Sequence, residues 1–175
     1  MYNGYNSYLR PYFDNTPISN PYNYPCPPRA EAPMYPGRVL PLRDYGPNPF
    51  VINIKETTLQ NNTFRTALWT GNYLQLTLMS INVGDSIGLE MHPDVDQFIR
   101  LEQGQGLVIM GDSRDRLNYQ QRVSDNYVIL IPAGKWHNLI NTGCVPLKLY
   151  SIYAPPQHPH GTVHKTKEVA EEHHV

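Results

Sequence analysis

Two short segments of the chain carry side chains that together could bind a metal ion. In the first segment Glu90 and His92 stand two residues apart, and Gln97 follows after a short proline-containing turn. In the second segment His137 follows a Pro-Ala-Gly turn. Imidazole nitrogens with carboxylate and amide oxygens, and no thiolate, suit divalent cations such as Fe(II), Mn(II), Ni(II), Co(II) or Zn(II).

The spacing of Glu90 and His92 places both side chains on the same face of an expected strand, because successive side chains alternate between the two faces. A carboxylate and an imidazole that both face an apolar interior are unfavourable unless they are paired or bound to a cation. Gln97 and His137 each begin a further expected strand and can point at the same space. Two alternatives stay open. In the first, Glu90 forms an ion pair with a buried arginine such as Arg100 and is not a metal ligand. In the second, Gln97 hydrogen-bonds a metal ligand and does not bind the metal itself.

The region after residue 49 has the pattern of an all-β domain. Short runs rich in Val, Ile, Leu, Tyr and Thr alternate with turns that contain Gly, Asn or Pro, which is typical of a sandwich or barrel. The expected strands are Phe50–Ile54, Phe64–Trp69, Tyr73–Ile81, Ser86–Met91, Gln97–Leu101, Gly106–Met110, Tyr119–Val123, Tyr127–Ile131, His137–Asn141 and Leu147–Tyr153. We expect a short terminal helix over Lys167–Glu172.

These two segments resemble the two sequence motifs of the cupin superfamily, which read G-x5-H-x-H-x3,4-E-x6-G and G-x5-P-x-G-x2-H-x3-N. The spacings agree throughout. The residues that stand on motif positions are Gly84, His92, Gly104, Pro132, Gly134, His137 and Asn141. The resemblance covers about residues 75–155 and is closest to small single-domain bacterial cupins of the mannose-6-phosphate-isomerase-like type. It implies a double-stranded β-helix, or jelly-roll, barrel and a homodimer formed through barrel sheets. The metal ligands that it implies are Glu90, His92, Gln97 and His137.

The chain departs from the motifs at three positions. Glu90 stands where the pattern has its first His, Gln97 where it has Glu, and Asn126 where the second motif opens with Gly. The site therefore keeps one carboxylate and two imidazoles, with the amide of Gln97 as a weaker fourth donor. A set of two His and one carboxylate suits non-haem Fe(II) and leaves room for water or substrate.

The first part of the chain differs from the rest in composition. Residues 1–48 are crowded with Tyr, Asn and Pro and show no apolar period of a strand or helix. We expect an extended N-terminal arm over residues 1–48, a β-barrel over residues 49–165 and a C-terminal tail over residues 166–175. The tyrosines of the arm either contact the barrel or a neighbouring subunit, or the arm is a tail without contacts.

Other residues give weaker signals. Lys135, in the turn before His137, could meet an anionic substrate at the barrel mouth. The histidines His158, His160 and His164 are expected to lie in a surface loop, with a second metal site or a contact with the barrel interior as the alternatives.

Composition narrows the class of protein. The formal net charge is -1, so the sequence lacks the excess of positive charge that binding to nucleic acid or to an anionic membrane would require. No apolar run in the sequence is long enough to span a bilayer. The N-terminus has no apolar stretch of a signal peptide, so we expect a cytoplasmic protein. In that reducing compartment free thiols are expected at Cys26 and Cys144, with a disulfide between them as the less favoured alternative, and the two residues form no metal-type pair.

Two functions follow from these observations. In the first, the chain is a metal-dependent enzyme, of oxygenase or isomerase type, or a binding protein, and it takes a small organic molecule beside Fe, Mn, Zn or Ni. The sequence identifies neither the reaction nor a general base. In the second, the chain is a structural protein, similar to spore-coat proteins and located in the spore coat. The barrel is then a scaffold, and the arm makes the contacts between subunits.

Overall fold

The computed structural model describes residues 39–172, so most of the expected arm and the end of the tail lie outside the described residues. The division into arm, barrel and tail stays a prediction. Within the described part, the segment before residue 50 lies against the barrel. The backbone N–H of Tyr45 donates to the carbonyl of Leu68, and the indole N–H of Trp69 donates to the carbonyl of Asn48.

The described residues form nine strands and two short helices. The elements in chain order are α1 Ile54–Gln60, β1 Arg65–Thr70, β2 Gln75–Ile81, β3 Asp96–Gln103, β4 Gln105–Gly111, β5 Tyr119–Ser124, β6 Val128–Ile131, β7 Trp136–Asn141, β8 Leu147–Ala154, β9 Val163–His164 and α2 Lys167–Glu172.

The strands form two antiparallel sheets that enclose one core. The larger sheet has the order β6-β3-β8-β2-β1-β9, and the smaller has the order β5-β4-β7. Apolar side chains from both sheets, from α2 and from the connecting segments meet between the sheets, because alternate residues of each strand point to the same face. They are Phe64, Met79, Ile81, Ile87, Ile99, Leu101, Val108, Val123, Ile129, Ile131, Leu139, Leu147, Leu149 and Ala170. The expected all-β jelly roll is confirmed.

One expected strand is wrong. Residues Phe50–Ile54 form an irregular segment that leads into α1. The helix begins there because the Asn53 side chain accepts a hydrogen bond from the backbone N–H of Glu56, and Asn with Glu three residues later is a capping pattern. A run of apolar residues as short as 51–54 fits a strand or the approach to a helix equally well, and the cap decides between them.

Two further findings concern the rest of the described chain. No helix within residues 39–172 is long and apolar enough to cross a membrane. Cys144 is disulfide-bonded, contrary to the expectation of a free thiol, and Cys26 lies outside the described residues.

Candidate metal centre

Glu90 is placed opposite His137 by a backbone pairing beside the smaller sheet. The N–H of Glu90 donates to the carbonyl of His137 at 3.0 Å, and the N–H of His137 donates back at 2.9 Å. Residues paired in this way on antiparallel backbones project their side chains to the same face. The expected strand Ser86–Met91 is only partly correct, because bridges to β7 form at Ser86 and Glu90 but no continuous ladder. Gly88, at φ 95°, lies between the two bridges.

The turn before β7 orients the imidazole of His137. Gly134 has a φ of 78°, which glycine adopts without strain, and its N–H donates to the carbonyl of His92 at 2.7 Å. The same turn presents the carbonyl of Lys135 at 2.9 Å from Nδ1 of His137. A carbonyl only accepts, so Nδ1 carries the proton and Nε2 of the neutral ring keeps its lone pair for a ligand.

The side chains of Glu90, His92 and His137 meet inside the barrel. Oε1 of Glu90 lies 3.5 Å from Nε2 of His92 and 3.4 Å from Nε2 of His137. All three donor atoms lie within 4.8 Å of one another. The two separations are too long for strong hydrogen bonds, and the three atoms are buried without a hydrogen-bond partner among the described residues. This spacing leaves room for a cation with bonds of about 2.0–2.2 Å to N and O ligands.

Gln97 lies at the start of β3 and is buried. Its Nε2 donates to Oγ of Ser151 at 2.9 Å, and its Oε1 is buried without a partner among the described residues. Gln97 stands directly opposite Tyr153 in β8, and the ring of Tyr153 meets the ring of His92 edge-on at 5.7 Å. The amide oxygen is therefore a free acceptor in the same part of the barrel. Its role as a ligand stays a prediction.

Glu90 carries a negative charge in this buried place. Burial by itself would raise the pKa of its carboxyl group. The imidazoles of His137 and His92, and then the positive charge of Arg65, outweigh burial and hold the pKa well below its usual value. The trio therefore offers one carboxylate oxygen and two imidazole nitrogens to a cation.

Arg65 is a residue that sequence reasoning missed. It lies in β1, its side chain is buried, and its charge reaches both Glu90 and Tyr153. The available signal was a charged residue inside an otherwise apolar expected strand. Alternation along a strand gives two faces, however, and does not say which face is inward.

The structure gives different partners to two residues considered above. Arg100 does not pair with Glu90, because its Nε lies 3.1 Å from Oε1 of Glu102. Lys135 pairs with Asp112 in an exposed contact at the end of the smaller sheet. The charge of Lys135, which was considered as a contact for an anionic substrate, is therefore paired with the carboxylate of Asp112.

The C-terminal histidines divide into two groups. His160 is exposed, and its Nε2 lies 3.0 Å from the carbonyl oxygen of Gly46. His158 and His164 are buried, so the expectation of a surface loop is wrong for them. The ring of His158 packs edge-on against Tyr153 at 5.1 Å, and His164 stands opposite Arg65 in the β1–β9 pairing.

The comparisons with known proteins concern the fold and the family of this chain. The Cupin domain family model matches residues 77–153, which include Glu90, His92, Gln97 and His137. A crystal structure of BH2720 from Bacillus halodurans is similar to this chain, with 64% identity and a TM-score of 0.74 over 74% of this chain and 98% of that one. This chain belongs to the cupin superfamily.

Two proteins that are similar to this chain in sequence are themselves uncharacterized. YrkC of Bacillus subtilis (strain 168) is 65% identical over 133 residues, which cover 76% of this chain and 72% of YrkC. L612 of Acanthamoeba polyphaga mimivirus is 39% identical over 115 residues, which cover 65% of this chain and 70% of L612. Neither name supplies a substrate, so the function of this cupin has to be argued from its own site.

Proposed function

We propose that this cupin holds one divalent transition metal through Glu90, His92 and His137 and uses it to bind or convert a small organic molecule. The observation that carries the proposal is the buried group of one carboxylate oxygen and two imidazole nitrogens within 4.8 Å of one another. Buried polar atoms in proteins have partners, and these three have no hydrogen-bond partner among the described residues. A cation supplies a partner for all three.

The donor set limits the choice of metal. Two imidazoles and one carboxylate, with the amide oxygen of Gln97 as a fourth donor, suit Fe, Mn, Zn or Ni. This combination with open coordination positions is typical of non-haem Fe(II) proteins of oxygenase type. A metal bound there supplies Lewis acidity to a substrate oxygen. Among the chain's own residues, the carbonyl of Lys135 orients the imidazole of His137, and the neighbouring imidazoles and Arg65 hold the pKa of Glu90 below its usual value.

The first experiment is elemental analysis of the protein purified without affinity metals or chelators. The double variant Glu90→Ala/His137→Ala is measured beside it, because it removes two of the three close donors. The matched control is Glu171→Ala/His160→Ala, which removes the same residue types from exposed positions. We expect about one equivalent of metal in the wild type and in the control, and little in the site variant.

The identity of the metal then selects the activity assays. Iron or manganese leads to oxygen uptake and isomerase-type reactions, and zinc leads to hydrolytic and lyase reactions. A folded wild-type protein that contains no metal and cannot be reloaded would contradict the proposal. Equal metal content in the site variant and the control would contradict the assignment of the ligands.

A further inference from the structure

Three buried polar side chains follow a diagonal line across the inner face of the larger sheet. They are Arg65, Thr77 and Tyr153, on the adjacent strands β1, β2 and β8. The register fixes their order, since Thr77 stands between Ala67 on β1 and Ser151 on β8. Thr77 is therefore one step along the sheet from Arg65 on one side and from Tyr153 on the other.

Their direction follows from the same register. Arg65 stands opposite Met79, and Met79 stands opposite Leu149, and both apolar residues belong to the core between the sheets. Directly opposite residues project to the same face, so Arg65 points inward. The alternation of residues along β2 and β8 places Thr77 and Tyr153 on that face as well.

Some polar atoms on this line make no hydrogen bond. Nε of Arg65 and Oγ1 of Thr77 are buried without a hydrogen-bond partner among the described residues. The hydroxyl of Tyr153 is also buried, with Arg65 and Ser151 beside it, and the Arg65 guanidinium lies over the ring of Phe64 at 5.5 Å. No carboxylate oxygen of residues 39–172 lies within 4 Å of the Arg65 guanidinium in an ion pair. Arg65 is 1% exposed. A guanidinium buried so deeply is unfavourable unless an anion or acceptor faces it.

These side chains offer donors to a ligand. Arginine has only donors. The hydroxyl of Tyr153 can donate a hydrogen bond as well. An acceptor that carries negative charge suits this pair of groups best, because hydrogen bonds between charged groups are the stronger ones.

The line adjoins the metal trio. The ring of Tyr153 meets the ring of His92 at 5.7 Å, and the charge of Arg65 lowers the pKa of Glu90. Glu90 is the single carboxylate of the trio. A divalent cation held by one carboxylate and two neutral imidazoles has a net charge of +1, and buried Arg65 raises the local charge to +2. The histidines nearest the line, His158 and His164, add no negative charge.

We propose that Arg65 and Tyr153 form an anion-binding subsite beside the metal and that the ligand of this cupin is a small organic acid. The carboxylate of this acid accepts hydrogen bonds from Arg65 and Tyr153, and the rest of the molecule faces the metal trio. This proposal rests on the proposed function, because the surplus of positive charge exists when the metal is bound. A single guanidinium with its planar fork suits a carboxylate, which it binds through two parallel hydrogen bonds.

The test is calorimetric titration of metal-loaded protein with two- to four-carbon monocarboxylates and, separately, with inorganic phosphate. The variants are Arg65→Met, which keeps the length of the side chain without its charge, and Tyr153→Phe, which removes only the hydroxyl. The control is Arg100→Met, which removes a half-exposed arginine from the same sheet. Metal content is measured for every sample, so a loss of the metal is seen separately from a loss of anion binding.

We expect at least one monocarboxylate to bind the wild type and the control. Its affinity should fall about tenfold or more in Arg65→Met and in Tyr153→Phe, with about one equivalent of metal retained. Equal affinity in the variants and the wild type would overturn the proposal, and so would a metal-loaded wild type that binds no monocarboxylate. Tighter binding of phosphate that depends on Arg65 would overturn the choice of a carboxylate. Tyr153→Phe keeps the test decisive if Arg65→Met does not fold.

Discussion

At the scale of single residues, the candidate centre depends on which nitrogen and oxygen atoms are left free by their neighbours. The hydrogen bond of His137 to the carbonyl of Lys135 leaves Nε2 as the free nitrogen. The hydrogen bond from Nε2 of Gln97 to Ser151 leaves Oε1 as the free oxygen. In both side chains this hydrogen bond fixes the orientation of the imidazole or the amide. The atom that would bind the metal is therefore oriented before the metal binds.

Substitutions of Gln97 test whether its amide oxygen belongs to the centre. Gln97→Glu restores the carboxylate of the cupin pattern but adds a second buried acid beside Glu90. We expect it to bind the metal more tightly and to be less stable without metal, because two close carboxylates are unfavourable without a cation between them. Gln97→Leu should weaken metal binding about tenfold or more.

The measurement is the melting temperature with and without a chelator. The drop caused by the chelator should be larger than wild type in Gln97→Glu and smaller in Gln97→Leu. Gln120→Leu, at an exposed position of β5, is the control and should behave as wild type. A drop of wild-type size in both Gln97 variants would place the amide oxygen outside the centre.

At the scale of elements, one acidic side chain joins three parts of the fold. The carboxylate of Asp44 accepts hydrogen bonds from the N–H and hydroxyl of Thr70 at the end of β1, from the N–H of Gly46, and from the N–H of Gly161 in the loop before β9. His160 lies 3.4 Å from it. Burial alone would raise the pKa of Asp44, but these hydrogen bonds and the charge of His160 lower it below its ordinary value.

This arrangement predicts a pH-dependent loss of stability in Asp44→Asn. Because the folded-state pKa lies below the ordinary value of 3.8, the ionised carboxylate stabilises the fold fully above that pH. The contribution is lost as the pH falls through the folded-state pKa. We expect Asp44→Asn to lower the free energy of unfolding by about 1–3 kcal/mol at pH 7 and to differ less from wild type as the pH falls below the ordinary value.

Urea unfolding of both proteins over this pH range measures the difference. Asp115→Asn removes the same charge at an exposed position of the β4–β5 connection and should change the free energy of unfolding little. A difference between Asp44→Asn and wild type that is the same at every pH would show that the charge of Asp44 plays no part.

At the scale of the whole molecule, the open edges of the two sheets present apolar side chains to solvent. β6 is an edge strand of the larger sheet and β5 an edge strand of the smaller one. The exposed apolar residues on and beside them are Tyr119, Tyr127, Val128 and Leu130. Edge strands carry unpaired backbone groups that can pair with another chain, and contiguous exposed apolar side chains mark association surfaces.

We therefore expect the homodimer to form through the β5–β6 edge. Leu130 is 67% exposed, and Leu130→Asp places a charge in the middle of this surface. The variant should shift from dimer to monomer over a range of concentrations in light scattering. Val51→Asp is the control, because Val51 is 98% exposed and lies outside this surface. A dimer that persists unchanged in Leu130→Asp would exclude this edge as the interface.

Much of the fold and the positions of the candidate ligands could be predicted from the sequence. Alternating apolar residues between turns predict most of the strands, because a strand that packs on one face needs this period. The resemblance of the two spaced motifs to the cupin pattern implies that Glu90, His92 and His137 come together, although the pairing of Glu90 with His137 joins residues far apart in the sequence. The sequence therefore determined the class of barrel and the donor types available inside it.

Only the tertiary structure decided which side chains face inward and what surrounds them. The alternation along β1 allows Arg65 to face either way, and pairing with β2 and β9 turns it inward. His158 and His164 are buried by contacts with strands that are distant in sequence. The electrostatic character of the site depends on these long-range pairings, and no local pattern encodes them.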